Sequence, residues 1–510
     1  MKELRVSNYA LLLAVRRVTQ DNQGKKTAGV DGVKSLKPNQ RLELVKDIGK
    51  QTKAKTLRRV WIPKPGRDEK RPLGIPTIRD RAEQALVKQA LEPYWEARFE
   101  GKSYGFRPGR SAHDAIGRIY QSINKGEYLV RDADIAKCFD KINHDYLLSK
   151  LNCPTQIRKK IRQCLKAGVL DSGVFEDTKT GTPQGGVISP LLANIALDGM
   201  ARYIKELYPR KKGQAVKATL IRYADDFVVI SPSLEIIEQY KIAIDNWLKP
   251  AGLELKPEKT RICHTLREIE VNGEKSEAGF DFLGFNIRQY SVGKYKSGKT
   301  GRPASRLIGH KTHIKPSLKA IKAHSETLKG VIKAHKTAPQ DALISKLNPI
   351  IRGWSNYYSG VVSMETFNQI DHNVWQQLRA WTESRCGKAS HENLRKYFHK
   401  GTVKIGNGKE RNESWLFQAK DGTRLWKHSY TQITRHIVVR PEASPYDGEW
   451  NYWSTRRGTA RGVPTRVAKL LKKLQGRCKH CGQYFASEDL AEVDHIKPLS
   501  MGGKDEYKNL

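Results

Sequence analysis

In Leu220-Ile221-Arg222-Tyr223-Ala224-Asp225-Asp226-Phe227-Val228-Val229-Ile230, the tetrapeptide Tyr223-Ala224-Asp225-Asp226 separates two apolar stretches. Val, Ile, Phe and Tyr favour strands and consecutive Asp residues favour turns. The segment therefore reads as strand, tight turn, strand, with two adjacent carboxylates at the tip of a hairpin. Such carboxylates repel one another unless a divalent cation neutralises them, and hard cations such as Mg²⁺ take oxygen ligands. An ordinary acidic hairpin has the same letters, so the surrounding sequence decides between a metal-holding turn and a solvated one.

The chain has 510 residues, with 93 Lys+Arg against 53 Asp+Glu and a formal charge of +40. An excess this large costs self-repulsion unless a polyanion offsets it. Charge and size together favour nucleic acid as that partner over a merely solvated basic surface. A membrane is the rival polyanion, but no uninterrupted apolar run approaches the ~20 residues that span a bilayer, so a soluble protein without a membrane partner is expected. A hydrophobic content of 38% suffices for real cores, and the length allows roughly three or four domains. Seven Cys is an odd count, and Cys138, Cys153, Cys164, Cys263 and Cys386 lie scattered without framework spacing. That distribution fits a reducing compartment. Leu11 to Val15 is too short, and too soon followed by Arg16-Arg17, for a secretory signal.

From about residue 56 to 290, apolar strands alternate with amphipathic helices, punctuated by Lys64-Pro65-Gly66, Arg107-Pro108-Gly109 and Gly181-Thr182-Pro183. This is the pattern of an α/β or α+β core. The stretch 291–316 mixes Gly293, Gly298, Gly301 and Pro303 with Lys and Arg and reads as an exposed basic linker at a boundary. Helical spacing follows at Leu318, Ile321, Leu328 and Ile332, then at Leu343, Leu347, Ile350 and Ile351, which predicts a helical domain to about residue 400. Its aromatics, among them Trp354, Tyr358, Trp375 and Trp381, are assigned to packing ahead of base stacking. Residues 401–475, rich in Gly, Lys, Arg and Trp, read as a small irregular basic module ending in a basic amphipathic helix.

A second acidic strand lies upstream, in Tyr128-Leu129-Val130-Arg131-Asp132-Ala133-Asp134, and Ile135-Ala136-Lys137-Cys138-Phe139-Asp140 follows it. Two-metal phosphoryl transfer needs carboxylates from separate strands converging on two cations. The competing reading makes Asp134 a cap for the next helix. Three segments, Asp134 to Phe139, Pro183-Gln184-Gly185-Gly186 and Tyr223-Ala224-Asp225-Asp226, occur in the order and approximate spacing of a reverse transcriptase palm. The resemblance narrows with Arg71-Pro72-Leu73-Gly74-Ile75-Pro76, Ser103-Tyr104-Gly105-Phe106-Arg107-Pro108-Gly109, Gly181 to Asn194, and Phe282-Leu283-Gly284-Phe285. These are similar to the motifs of bacterial group II intron-encoded reverse transcriptase/maturases, and the similarity runs over essentially the whole chain.

The resemblance implies a multidomain α+β chain built as a right-hand polymerase. Fingers and palm, with an antiparallel palm sheet, occupy 1–310. A helical thumb or maturase domain occupies 311–400, a DNA-binding module 401–475 and an incomplete HNH endonuclease domain of ββα type 476–510. It makes Asp134, Asp225 and Asp226 the ligands of two Mg²⁺ ions. Phe139 becomes the aromatic gate beneath the sugar, Lys64 and Arg71 the cations on the incoming triphosphate, Gln184 a contact beside nucleotide and template, and Lys259 a residue near the site. The implied partners are group II intron RNA, target DNA, an RNA template with its DNA primer, and dNTPs. The implied activity is RNA-directed DNA synthesis coupled to splicing and retrohoming in a bacterial cytoplasm. Two other classes stand beside it: a splicing factor with an idle polymerase, and a retron or CRISPR-associated reverse transcriptase.

Cys478-Lys479-His480-Cys481, Glu492-Val493-Asp494-His495-Ile496 and Gly502-Gly503-Lys504-Asp505 through Asn509 resemble an HNH endonuclease. In it His495 would be the general base, Asp494 a divalent-metal ligand and Asn509 a fixer of the loop. Cys478 and Cys481 form a possible half site for Zn²⁺, which takes four ligands when closed. The sequence stops at Leu510, where the family continues with further ligands, so this polypeptide is expected to lack DNA cleavage. The family also usually carries more sequence ahead of Tyr9 to Thr19, so part of an RNA-contacting extension is expected to be missing.

Overall fold

The computed structural model describes residues 7–48, 53–63, 69–208, 218–271, 273–293, 296, 298–299, 307–387, 390–405, 408–459, 465–485, 489 and 491–510. The chain divides into two units. The first comprises Met1–Ala115, Leu129–Ile262 and Val439–Gly448; the second comprises Ile116–Tyr128, Cys263–Val438 and Glu449–Leu510.

The strands that frame the first unit are β1 (Leu57–Pro63), β2 (Lys70–Ile75), β3 (Leu129–Asp134), β4 (Val169–Asp171), β5 (Val174–Glu176), β6 (Thr219–Tyr223), β7 (Asp226–Ser231) and the start of β8 (Arg261–His264). Among the described residues they form two sheets, ordered β2-β1-β4-β5 and β6-β7-β3-β8. β1 is antiparallel to β2, with Ile62 opposite Arg71, and parallel to β4. β7 is antiparallel to both β6 and β3. Phe227, Val228, Val229 and Ile230 of β7 are buried without alternation, as expected of a strand covered on both faces. The helix Ser189–Leu197 buries eight of its nine residues. Its Leu191, Leu192 and Ile195 join Phe227 and Val229 of β7, and Ile244 and Leu248 of the helix Leu234–Leu248, in one core. Each such side chain contributes about 1.5–3 kcal/mol on leaving water.

The late segment Val439–Gly448 returns to this unit. Arg110 Nη2 donates to the carbonyls of Pro441 and Ala443 at 2.7 and 3.0 Å. Val439 N–H donates to the buried carboxylate of Asp114 at 2.8 Å, and the Tyr446 hydroxyl donates to Glu92 at 3.0 Å.

In the second unit three helices, Leu318–Ala334, Gln340–Tyr358 and Met364–Cys386, gather Leu328, Leu343, Leu347, Ile351, Ile370, Val374, Leu378 and Trp381 into a core. Ser317 caps the first of them, its Oγ accepting from Ala320 N–H. The same core takes in Phe398 and Phe417, which pair at one end of the hairpin Phe398–Lys404 and Glu410–Phe417. One core therefore runs through residue 400. The aromatics here pack: Trp381 is buried with its indole N–H on the His335 carbonyl at 2.9 Å, and Trp354 stacks on His324 at 4.5 Å. The stretch 291–316, expected as linker, ends in a strand, His310–Pro316, paired antiparallel with Phe285–Ser291. Ile314 and Pro316 alternate inward there, so burial of that face overrides the Gly-rich start.

No strand or α-helix occurs among the described residues of 478–510, where a ββα arrangement was expected; turns, an Arg477–Tyr484 bridge and two 3₁₀ turns stand instead. Of the described residues in that segment only Leu510 is buried. Short elements without an apolar face to bury gain too little to form. No helix among the described residues is long and apolar enough to cross a membrane.

Candidate active site

Tyr223 and Asp226 are the last pair of the β6–β7 ladder, so Ala224 and Asp225 form a two-residue hairpin loop. Such loops need positive φ, and Ala224 adopts φ 56°. Asp226 lies opposite Asp134, the last residue of β3. Asp225 joins them through its carbonyl, which accepts from Ile135 N–H at 3.3 Å. All three acids are half-buried. Two of them act on the buried Cys138, whose thiol is pushed up first by burial and then by Asp225, with Asp134 and the nearby Asp140 adding to it. Asp134 is not a helix cap: the short helix Cys138–Lys141 is preceded by Lys137 in the left-handed region.

The fully buried Arg222 lies beneath this turn. Its Nη1 donates to the Ala224 carbonyl at 3.0 Å and to Asn194 Oδ1 at 3.2 Å, and Asn194 Nδ2 donates to the Gly105 carbonyl at 2.8 Å. Burial lowers the guanidinium pKa, against the pull of Glu100 and Asp198. The loop at Ser103 to Phe106 lies against the hairpin: Tyr104 N–H donates to the Arg222 carbonyl, and Arg222 N–H to Lys102. A Cβ on Gly105 would sit 2.3 Å from Ala224 N, so this close approach requires glycine. Phe106 then meets Phe139 edge to face at 5.9 Å.

The Pro183-Gln184-Gly185-Gly186 turn docks on Phe139 and Asp140. Thr182 N–H donates to the Phe139 carbonyl, Thr180 Oγ1 to the Asp140 carbonyl at 3.0 Å, and Gln184 Nε2 to Asp140 Oδ1 at 3.0 Å. His144 Nε2 donates to the Gly181 carbonyl at 2.7 Å. The Gln184 carbonyl accepts from Gly74 N–H at 2.7 Å, which ties the turn to the strand that carries the exposed Arg71. Lys64 lies outside the described residues. Lys259 ends the 3₁₀ turn Pro257–Lys259, beside Lys256, whose N–H donates to the Asp134 carbonyl at 2.8 Å; the Lys259 side chain lies outside the described residues.

In the second unit, Asn509 makes hydrogen bonds across the loop that follows His495. Its Oδ1 accepts from Lys497 N–H, and its Nδ2 donates to the Lys497 and Lys504 carbonyls. His495 Nε2 is 3.0 Å from Asp505 Oδ1, and Arg466 holds the other oxygen at 2.9 Å. Arg466, then His495, keep the Asp505 carboxyl below the usual range. The Asp494 carboxylate accepts from His495 N–H. Backbone N–H groups of Cys481 and His480 lower the Cys478 thiol, in a turn closed by Gly482 N–H on the Cys478 carbonyl. Among the described residues no set of three or more His, Cys, Asp or Glu gathers as a metal site.

Sequence reasoning assigned no role to Asp140, Arg222, Asn194, Gly105 or Asp505. All five lie in or beside quoted motifs, but their partners are 2 to 89 positions away, so spacing alone did not mark them.

Family models described as Reverse transcriptase (RNA-dependent DNA polymerase), N-terminal domain of reverse transcriptase, Group II intron, maturase-specific domain, and HNH endonuclease match residues 62–287, 1–48, 321–398 and 478–510. Protein YkfC of Escherichia coli (strain K12) is 32% identical over 54% of this chain and 80% of its own length. Group II intron-encoded protein LtrA of Lactococcus lactis subsp. cremoris is 28% identical over 96% of this chain and 88% of its own. The carboxylate-tipped hairpin lies inside the polymerase match and the three-helix core inside or beside the maturase match; the chain belongs to the group II intron-encoded reverse transcriptase/maturases and carries an HNH segment.

Proposed function

We propose that this RNA-directed DNA polymerase and maturase joins nucleotides at Asp134, Asp225 and Asp226. The observation that carries the reading is the register that sets Asp134 opposite Asp226, with Asp225 in the turn between the strands. The donor set suits Mg²⁺. Its ligands are oxygens, and the nearby Cys138 thiol is pushed up by burial and then by Asp225 and Asp134, so it does not compete as a thiolate. Mg²⁺ is commonly held by one or two carboxylates together with substrate phosphates, so the acids need not close a site unaided. When bound, two such ions would neutralise charge on the phosphates and make the primer 3′-hydroxyl more acidic.

The chain's own residues orient the reactants. Phe139, packed against Phe106, would lie under the sugar and leave no room for a 2′-hydroxyl. Arg71, with Lys64, would hold the triphosphate, a task suited to a forked guanidinium and a mobile ammonium. Gln184 would sit beside nucleotide and template, with Lys259 nearby. We assign fingers and palm to 1–310, thumb to 311–400 and a DNA-binding module to 401–475. Lys and Arg there would grip intron RNA, the template–primer duplex and target DNA through phosphates, so binding weakens steeply with salt. The splicing role is to stabilise folded RNA, in the cytoplasm of a bacterium. In the HNH segment His495 would act as general base, Asp494 as metal ligand and Asn509 as loop fixer, with Cys478 and Cys481 as two zinc ligands.

The test is Asp225→Asn. Primer extension on an RNA template is expected to fall at least ~10²-fold, while intron RNA binding and splicing are retained. Loss of RNA binding together with extension would mean that the acidic hairpin is structural.

A further inference from the structure

We infer that Asp140 is a positioning residue that decides which end of the Gln184 carboxamide faces the nucleotide. This rests on the reading that Gln184 lies beside the nucleotide. A carboxamide has a donor end and an acceptor end of nearly equal shape, and a half-turn exchanges them. A carboxylate only accepts. With Gln184 Nε2 on Asp140 Oδ1 at 3.0 Å, Oε1 must point the other way.

The backbones of both partners are held, so their side chains start from fixed positions. The Gln184 carbonyl is fixed by Gly74 N–H at 2.7 Å. The neighbouring Gly185 has φ 114°, and a Cβ there would lie 3.0 Å from the Gly74 carbonyl. Asp140 is held by its N–H on the Lys137 carbonyl and by Thr180 Oγ1 on its own carbonyl. Among the described residues the bond to Asp140 is the side-chain hydrogen bond that Gln184 makes, and the residue is half-exposed. An acceptor is therefore presented to the ligand.

That acceptor has a defined complement. Triphosphate oxygens are acceptors and are disfavoured next to it. Base N–H groups are engaged in pairing and differ from base to base. The sugar hydroxyl is a donor common to every deoxynucleotide, so Asp140, through Gln184, favours a nucleotide that carries a 3′-hydroxyl.

The experiment measures kcat/KM for dGTP and for ddGTP in primer extension. It compares the wild type with Gln184→Ala, Asp140→Asn, Gln184→Glu and the exchanged pair Asp140→Asn/Gln184→Glu, with melting temperature and RNA binding as folding controls. A carboxamide in place of the Asp140 carboxylate accepts either orientation of its Gln184 partner, so Asp140→Asn is expected to reduce the dGTP preference roughly two- to fivefold. Gln184→Glu sets two carboxylates against each other and reduces it further. The exchanged pair has the same charge with donor and acceptor reversed, again presents an oxygen, and is expected to restore the preference to within about twofold of wild type. An unchanged preference in Asp140→Asn, or an exchanged pair no better than the worse single variant, overturns the inference. An unchanged preference in Gln184→Ala overturns the placement of Gln184 itself. Should Asp140→Asn lower the melting temperature, Asp140→Ala gives the same comparison: equal losses on both nucleotides refute the proposal, and a selective loss on dGTP supports it.

Discussion

Gly105→Ala tests whether the acidic turn is held by the loop beneath it. A Cβ at residue 105 would meet Ala224 N at 2.3 Å, Ala224 Cβ at 2.8 Å and Ala224 Cα at 2.9 Å. Two of these three are backbone atoms, so no rotamer change relieves them. Apolar contact is comfortable from about 3.5 Å, so the loop or the turn must yield by about 1 Å. The Ala224 carbonyl is pinned by Arg222 and the Gly105 carbonyl by Asn194, which spreads the displacement into Asp225 rather than absorbing it. Overpacking of this kind costs roughly 1–3 kcal/mol of stability, and a 1 Å misplacement of reacting groups costs on the order of 10²-fold in rate. Single-turnover primer extension on an RNA template is therefore expected to slow about 10²-fold, with the melting temperature lowered by only a few degrees and RNA binding unchanged. Extension within about threefold of wild type would refute the claim that Gly105 sets the turn.

Arg110→Ala removes the donors to the Pro441 and Ala443 carbonyls and is expected to destabilise the first unit by roughly 2–4 kcal/mol; a urea midpoint shift worth under about 0.5 kcal/mol would mean that Val439–Gly448 is not held by Arg110. The second unit should weaken in acid. Buried His324, its Nε2 donating to His428 while His428 Nδ1 donates to Asp371, has its pKa lowered to about 3 by burial, then by His428. The unfolded chain takes up this proton near pH 6.5 and the fold does not, so stability declines as pH falls from 6.5 towards 3. The loss between pH 7 and 5 is about 2 kcal/mol. Urea melts followed by Trp fluorescence should show that decline in the wild type and about 2 kcal/mol less of it in His324→Gln; identical pH profiles would count against the assignment.

The hairpin was legible because its physics is local. β-Branched and aromatic residues on both sides of two acids leave little choice but strand, turn, strand, and the structure has β6 and β7 there. Helices after residue 317 were legible from apolar spacing for the same reason. The strand His310–Pro316 was not, because its local sequence is basic and follows a Gly-rich stretch; its partner, Phe285–Ser291, supplies the ladder. Nor could periodicity show that Phe398 and Phe417 complete the core of helices that end near residue 386, since their burial depends on a hairpin folding back.

By itself the sequence determined the polymerase and maturase identity, the acidic turn, and the order of motifs that accompany it, because these are carried by short runs of neighbouring residues. Tertiary structure alone decided what supports them. It brought Arg222 under Ala224, Gly105 against the same turn, Asp140 to Gln184, and residues 439–448 back to Arg110 and Asp114. Each of these is a hydrogen bond or close approach of groups wholly or partly withdrawn from water, whose formation depends on that withdrawal and on how the folded backbone brings the groups together. Residue spacing along the chain carries no record of either.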